Sequence, residues 1–209
     1  MPYCCHFEEL NLSADAYIYA LKDSALDNVI DKISTSEAVH IHTAGSVSID
    51  IFKGKTDNYG VIYPLQTFSK EKRVNFDDIR QFWNRTMQLS ADKITKIAKL
   101  LSSDIHYISS EKRKLLHLSA VFACNFTNYM YVLAEKITKE ANLDYNVLLP
   151  LIAETADKLK YLTPEQAQTG PALRKDYNTL NKHLDLLKNI PELQNIYLLI
   201  STSIDKNFT

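Results

Sequence analysis

Two polar side chains in one apolar stretch could take part in catalysis. They are His117 and Asn125 in "LLHLSAVFACNF". An imidazole titrates near neutrality and can transfer a proton, whereas an amide can orient a polar substrate. On a helix with a rise of ~1.5 Å per residue they stand about 12 Å apart, so they could line one cleft without holding the same atom. From the pattern alone we favour hydrogen-bonded residues at helix interfaces over a catalytic pair.

Polar residues also follow three predicted β-strands. Lys22 and Asp23 come after the first strand, the turn Thr43, Ala44, Gly45 and Ser46 after the second, and Gln66 and Thr67 after the third. Ligands of open parallel sheets bind beyond the carboxyl ends of the strands, so these residues are candidates for one binding site. They could equally be ordinary loop residues and helix caps, with Ser46 or Ser48 capping the segment "SIDIF".

The stretch "QTGPALRKD", residues 168–176, interrupts an otherwise helical region. A plain interhelical turn needs Gly170 and Pro171, but it does not need Thr169, Arg174 and Asp176 beside them. These polar residues therefore suggest a further role.

The three cysteines predict reduced thiols rather than a disulfide framework. Cys4, Cys5 and His6 are adjacent and lack the usual spacing of metal ligands, so we predict no metal site. Cys124 lies in an apolar run, and a small buried side chain is the favoured interpretation over a nucleophile.

Composition excludes several classes of protein. With 209 residues, 45% of them hydrophobic, the chain can bury a real core. Its 24 Lys and Arg nearly balance 25 Asp and Glu, which gives no support for a nucleic-acid surface. The N-terminus has no apolar segment typical of a signal peptide, and no apolar run is long enough to span a bilayer. We expect a protein of the cytoplasm with no membrane partner.

The pattern of predicted elements changes near residue 108. Before it, strand-like and helix-like segments alternate, which is typical of a mostly parallel sheet. Predicted strands cover 15–21, 38–45, 59–68, 80–86 and 104–108, and predicted helices cover 24–34 and 90–102. After it, helical periodicity predicts one long helix over 109–143 and helices at 145–160, 177–189 and 191–205. The fold class is α/β plus all-α, with domains at 1–108 and 109–209.

A dinucleotide-binding sheet normally carries a Gly-x-Gly-x-x-Gly turn after its first strand. The glycines are at positions 45, 54, 60 and 170, so that fingerprint is absent. The residues alone therefore indicate the later part of a doubly wound sheet followed by a helical domain.

Four segments carry a resemblance to a known family: "HTAGSVSIDIF", "YGVIYPLQTFS", "LLHLSAVFACNFTNYMYVLAEKI" and "AQTGPALRKDYNTLNKHL". The chain resembles a bacterial family of Rossmann-like proteins assigned as NADP oxidoreductases, deazaflavin-dependent NADP oxidoreductase-like, with a helical C-terminal domain of unknown function. The family is similar to pyrroline-carboxylate reductase and 6-phosphogluconate dehydrogenase. The resemblance runs from about Ser13 to about Ile204.

The resemblance implies a truncated Rossmann-like sheet. Family members carry additional residues in front, with the first strand and its glycine-rich turn, so we expect either a start assigned too far downstream or a shortened paralogue. An opened sheet would leave "AYIYAL" with an exposed edge, which the segment "PYCCHF" or a second chain could cover.

The resemblance also implies roles for residues. His117 becomes the candidate proton donor and Asn125 orients the substrate. Lys22, Asp23, Thr43, Ala44, Gly45, Ser46, Gln66 and Thr67 are the cofactor-binding candidates. The loop is implied to fold back towards an interdomain cleft, where Thr169, Gly170, Pro171 and Arg174 bind the substrate; alternatively, Arg174 pairs with Asp176 or the next helix as a structural clasp.

The resemblance thus implies an NAD(P)-dependent oxidoreductase that transfers a hydride to or from a small carbonyl or imine substrate. The implied cofactor is NADP, and the implied partners are a small-molecule substrate and a second copy of the chain, through a helical dimerisation domain. The alternative is a non-catalytic dimeric binding module, or an incomplete gene product, that has lost the dinucleotide site.

Overall fold

The structure is a computed structural model that describes residues 9–33, 37–86 and 88–208. The chain forms two compact units, Met1–Thr127 and Asn128–Thr209. The first unit thus contains the sheet together with the beginning of the long helical run. The predicted domain boundary at residues 108 and 109 stays a prediction.

Five strands form one sheet in the first unit, in the order β1-β2-β3-β4-β5. They are β1 (Ala16–Tyr19), β2 (Val39–His42), β3 (Tyr59–Pro64), β4 (Gln81–Arg85) and β5 (Ile105–Tyr107). The first three strands are parallel, β4 is antiparallel to β3, and β5 is parallel to β4. The predicted mostly parallel sheet is confirmed. The carboxyl ends of β1, β2 and β3 therefore lie at the same end of the sheet.

Both faces of the central strands β2 and β3 are buried. On one face, Val39, Ile41 and Ile62 pack with Ile94 and Ala98 of the helix α2 (Gln88–Leu101). On the other, Tyr19, Val61 and Phe52 pack with Leu26 and Ile30 of the helix α1 (Asp23–Ile30). Full burial of one such aliphatic side chain stabilises the fold by about 1.5–3 kcal/mol. Because helices cover both faces, β2 and β3 have no solvent-exposed face.

The strand β1 lies at the edge of the sheet in the part of the chain that the structure describes. It pairs with β2, from Ala16 opposite Val39 to Tyr19 opposite His42, and Ile18 keeps 51% of its surface exposed. The open edge expected at this strand stays a prediction. The segment "PYCCHF", with Cys4, Cys5 and His6, lies outside the described residues.

Short 3-10 helices shape two connections of the first unit. Ile49–Phe52 follows β2, and its N-cap is Ser48, whose Oγ accepts a hydrogen bond from the Asp50 N–H at 3.2 Å. The structure thus selects Ser48 as the cap where the sequence left Ser46 and Ser48 open. Phe76–Asp78 precedes β4.

A continuous helical run begins at Ser110. It consists of α3 (Ser110–Ala120), a π-helical segment (Val121–Phe126) and α4 (Thr127–Glu140). The predicted long helix is confirmed in this range, but helical periodicity did not predict the π segment. Thr127 Oγ1 donates a hydrogen bond to the Phe122 carbonyl, five residues earlier, at 3.1 Å.

The described part of the second unit is helical. After α4 come α5 (Leu149–Asp157), α6 (Pro164–Ala167), α7 (Tyr177–Leu186) and α8 (Pro191–Asn207), with 3-10 turns at Tyr145–Leu148 and Lys158–Lys160. Pro150 and Pro191 occupy the first turns of α5 and α8, where a missing N–H costs no hydrogen bond. None of the helices in the described ranges combines the length and hydropathy needed to span a bilayer.

Candidate active site

A cavity of about 360 Å³ lies at the carboxyl end of β3, within the first unit. One wall is the end of β3 and the residues after it, and the other is one face of α3 and the π segment. The polar residues of its lining are Tyr63, Gln66, Thr67, His117, Ser119 and Asn125. Four predicted site residues, Gln66, Thr67, His117 and Asn125, thus line one cavity. Its volume falls in the ~300–1,000 Å³ range of small-molecule sites.

His117 is half-buried and contacts the buried Tyr63. The Tyr63 hydroxyl lies 3.1 Å from His117 Nδ1, and the two rings meet edge to face with centroids 6.0 Å apart. Burial raises the pKa of Tyr63, and the positive charge of Arg113 opposes that rise. The Tyr63 hydroxyl can donate to Nδ1 of a neutral imidazole, whose proton then lies on Nε2, and it can accept from Nδ1–H of a protonated imidazole.

Gly45 lies against the same imidazole. A Cβ on Gly45 would lie 2.5 Å from His117 Nδ1 and 2.7 Å from Cγ. Because Gly45 has no side chain, the turn after β2 can lie in contact with the helix α3. The predicted role of Gly45 in cofactor binding stays a prediction.

Two further contacts join α3 to the segment after Gly45. Arg113, which is fully buried, donates from Nη2 to the Val47 carbonyl. The hydroxyl of Ser110 accepts hydrogen bonds from the Ile49 N–H and from the side-chain amide of Asn84, both at 3.4 Å. Burial lowers the pKa of Arg113, because its charge is removed from water.

His42 ends β2 and is fully buried beneath the turn. Its Nδ1 accepts a hydrogen bond from the Ala44 N–H at 3.2 Å, and its ring stacks on Phe52 with centroids 5.7 Å apart. Burial, and then the charge of Arg113, lower the pKa of His42 to about 4. The imidazole is therefore neutral at physiological pH and supports the turn as an uncharged hydrogen-bond acceptor.

The loops after β1 and β2 meet through a hydrogen bond from Ser46 Oγ to the carboxylate of Asp23. Lys22 is the N-cap of α1 and is exposed. Thr43 contacts the Tyr19 carbonyl through its N–H at 3.4 Å and its Oγ1 at 3.5 Å. The structure therefore brings the first two predicted loops together.

Asn125 and Cys124 lie in the π segment and are both exposed. The prediction of a buried Cys124 is wrong for the single chain, because the residue lines the cavity instead of the core. π-helical turns are rare and are frequent at functional sites.

The residues Thr169, Gly170, Pro171 and Arg174 belong to the second unit. Thr169, Gly170 and Pro171 line an apolar cavity of about 340 Å³ with side chains of α4 and α8. Gly170 has φ +112, in the range that favours glycine. Arg174 is exposed and forms no ion pair with a described residue. The role of this loop in substrate binding stays a prediction.

Asp176 has a structural role at the start of α7. Its carboxylate accepts hydrogen bonds from the Thr179 N–H at 3.1 Å and the Thr179 hydroxyl at 2.7 Å. These hydrogen bonds, and then the charge of Arg174, lower the pKa of Asp176. One part of the unusual composition of the loop is therefore a helix cap.

Sequence reasoning missed three residues of this region: Tyr63, His42 and Arg113. The segment "YGVIYPL" predicts only that Tyr63 lies in a strand. Its pairing with His117 depends on a contact between residues that are 54 positions apart. Arg113 lies four positions before His117, so that both lie on one face of a helix. That spacing was the available signal for Arg113.

The described ranges contain no group of three or more His, Cys, Asp or Glu side chains that could hold a metal ion. The described residues of the site fit a dinucleotide only in part. The cavity with Gln66, Thr67 and His117 could take its reacting end, because hydrogen-bonding groups line an apolar space. No glycine-rich turn precedes a helix in the described residues, and α1 opens with the carboxylate of Asp23, which would repel a pyrophosphate.

The sheet, its binding end and the helices that follow define a Rossmann-like α/β protein with a helical C-terminal region. Residues 87–204 match the model of the family described as Domain of unknown function (DUF2520). A solved structure of a "putative NADP oxidoreductase" from Bacteroides fragilis is 44% identical, with a TM-score of 0.93, over 98% of this chain and 80% of that one. The chain belongs to the DUF2520 family. This match and the similarity to the Bacteroides fragilis structure confirm the resemblance drawn from the four motifs.

More distant structures share the fold. A protein from Thermotoga maritima is 26% identical with a TM-score of 0.73, over 91% of this chain and 77% of that one. A Plasmodium falciparum pyrroline carboxylate reductase with NADP bound is 14% identical with a TM-score of 0.54, over 97% of this chain and 82% of that one. The comparison with curated proteins gives no match.

Proposed function

We propose that the chain is an NAD(P)-dependent oxidoreductase that acts on a small carbonyl or imine compound. The observation that carries the proposal is the cavity at the carboxyl end of β3, where His117, oriented by Tyr63, faces Gln66 and Thr67. An acid-base group at the binding end of a parallel sheet is what such a reaction requires. The name of the Bacteroides fragilis relative supports the same reaction class and NADP as the cofactor.

His117 is the proposed proton donor. In the protonated ring, Nδ1–H donates to the Tyr63 hydroxyl oxygen, and Nε2–H is the proton that a carbonyl oxygen or imine nitrogen would receive, which leaves a neutral imidazole. Asn125, in the wall of the same cavity, would orient the substrate through its amide.

The dinucleotide, when bound, supplies the hydride, and the protein holds the acceptor in place. Gln66, Thr67 and the turn Thr43–Ser46 would lie near its reacting end. Lys22 and Asp23 are the remaining proposed cofactor-binding residues, for a part of the dinucleotide other than the pyrophosphate. Thr169, Gly170, Pro171 and Arg174 would bind the polar or acidic end of the substrate.

Titration of the full chain with NADP(H) and NAD(H), followed by fluorescence, tests cofactor binding. NADPH oxidation with a panel of small imines and 2-oxo acids then tests turnover. His117→Gln should abolish turnover and leave cofactor affinity nearly unchanged. His183→Gln is the matched control, because His183 forms a similar pair with Tyr197 in the second unit, at 2.8 Å. Unchanged turnover of His117→Gln would remove His117 from the role.

A non-catalytic binding module is the alternative function. The lack of a glycine-rich turn before a helix in the described residues favours it. A chain that responds to neither dinucleotide in the titration would support this alternative.

A homodimer is part of both proposals. Its support is the number of large apolar side chains that the second unit exposes, among them Leu198 and Leu199 of α8, 50% and 72% exposed. Exposed apolar surface of this kind marks interaction sites.

A further inference from the structure

Arg113 is an unusual residue for a protein interior. The side chain is 0% exposed, and its one hydrogen bond to a described residue goes from Nη2 to the Val47 carbonyl. Nε and Nη1 are buried without a partner among the described residues, and no described carboxylate forms an ion pair with the guanidinium. An unpaired buried cation is costly, so this contact is a poor way to stabilise a fold.

The contact belongs to a regular series between α3 and the segment after β2. Ser110 accepts from the Ile49 N–H, Arg113 donates to the Val47 carbonyl, and His117 packs against Gly45. Along α3 the spacing is three and then four residues, which keeps all three side chains on one face. Along the segment the spacing is two residues each time. Arg113 is the middle contact of the three.

The contact of Arg113 with Val47 lies one helical turn from His117 and can affect the position of its imidazole. Val47 is two residues from Gly45, and the Gly45 backbone lies so close to His117 that no Cβ would fit. A shift of the Val47 carbonyl would therefore move Gly45 relative to the ring. The ring in turn sets the distance of Nδ1 to the Tyr63 hydroxyl, 3.1 Å.

We propose that Arg113 is a positioning residue, which fixes the turn 43–47 against α3 and thereby holds His117 at the Tyr63 hydroxyl. This inference rests on the proposed function of His117. The positive charge of Arg113 also counteracts the rise that burial causes in the pKa of Tyr63.

Arg113→Met tests the proposal, with NMR of the histidine side chains as the readout. Methionine keeps the apolar stem and removes the donor to Val47. Long-range ¹H–¹⁵N spectra of the full chain resolve the rings, and His117→Gln identifies the His117 signals. Tyr63→Phe gives the position of the Nδ1 signal without the hydroxyl. This readout needs no turnover, so a failure of the proposed oxidoreductase activity does not affect it.

We expect Arg113→Met to move the His117 Nδ1 signal at least about halfway towards its position in Tyr63→Phe. Arg113→Lys, which keeps a donor for Val47, should restore most of the original position. The signals of His183, which pairs with Tyr197 in the second unit, should stay in place, and the midpoint of thermal unfolding should not fall. Where turnover is measurable, it should fall about 10–100-fold with a nearly unchanged KM for the dinucleotide.

Two results would overturn the proposal. A His117 signal that stays in place in Arg113→Met would show that Arg113 does not hold the imidazole. A lower unfolding midpoint together with shifts of both His117 and His183 would assign Arg113 to the stability of the fold.

Discussion

At the scale of single residues, the imidazole of His117 is held from two sides. The Tyr63 hydroxyl occupies Nδ1, and the backbone of Gly45 lies against the ring. These contacts come from the strand β3 and from the turn after its parallel neighbour β2. A ring restrained in this way enters a reaction with little orientational freedom left to lose, which is how a protein lowers the barrier of proton transfer.

Gly45→Ala tests this restraint. The new methyl group would lie 2.5 Å from Nδ1, so the ring must leave the position in which Nδ1 contacts the Tyr63 hydroxyl. We expect turnover to fall on the order of 100-fold, since a displacement of about 1 Å at a catalytic group has that effect. Steady-state kinetics beside urea unfolding measure the change.

Gly54→Ala is the control for this experiment. Gly54 has φ +78, and no described atom lies within 4 Å of the place that the new methyl group would take, so alanine strains the backbone without touching the site. It should cost about 1 kcal/mol of stability and leave turnover unchanged. Full turnover of Gly45→Ala would contradict the restraint of His117.

His42 makes stability depend on pH. Its pKa is lowered to about 4 in the folded chain, against 6.5 as the ordinary value, so between these values the unfolded chain binds more protons. The stabilising contribution is present above pH 6.5 and is lost as the pH falls towards 4. Linkage gives a loss of about 2 kcal/mol between pH 7 and pH 5.

Urea unfolding at pH 7 and pH 5 measures this loss. His42→Gln keeps an acceptor for the Ala44 N–H but does not titrate, so its stability should change less between the two pH values. Equal pH dependence in both proteins would show that His42 is not the group responsible.

At the scale of elements, the sequence was sufficient for the order of the strands and of the longer helices, but it did not predict the short helix α6. The apolar segments around β2 and β3 and the unbroken periodicity of 109–143 each predicted an element that the structure contains. It did not predict the π segment, because the apolar pattern of "VFACNF" fits an α-helix equally well. Contacts such as Tyr63 with His117 depend on packing between distant elements, and one sequence does not encode them as a local pattern.

The loop 168–176 can be divided into structural and functional residues by substitution. Asp176 caps α7 through two hydrogen bonds to Thr179, whereas Arg174 is exposed. Asp176→Ala should destabilise the chain by about 1 kcal/mol, the usual effect of losing an N-cap. Arg174→Ala should leave stability unchanged and raise KM for an acidic substrate. Urea unfolding and kinetics measure both; an Arg174→Ala variant that loses stability and keeps its KM would support the clasp instead.

At the scale of the whole molecule, each unit has its own cavity and its own histidine–tyrosine pair. Both units expose large apolar side chains, and those of the second unit lie on or beside its helices. They include Leu143, Val147, Leu151, Leu198 and Leu199. Water contact with so much apolar surface is unfavourable, and association would remove it.

Leu199→Glu tests whether α8 takes part in a homodimer. Leu199 is 72% exposed, so a carboxylate there costs little in a single chain but would be buried and unpaired in an interface. We expect sedimentation velocity to show a dimer for the original chain and at least a tenfold weaker association for Leu199→Glu. Leu100→Glu on α2 is the matched control, because Leu100 is 85% exposed and lies in the first unit. An original chain that sediments as a monomer at high concentration would contradict the homodimer, and equal dissociation of both variants would show that the interface does not involve α8.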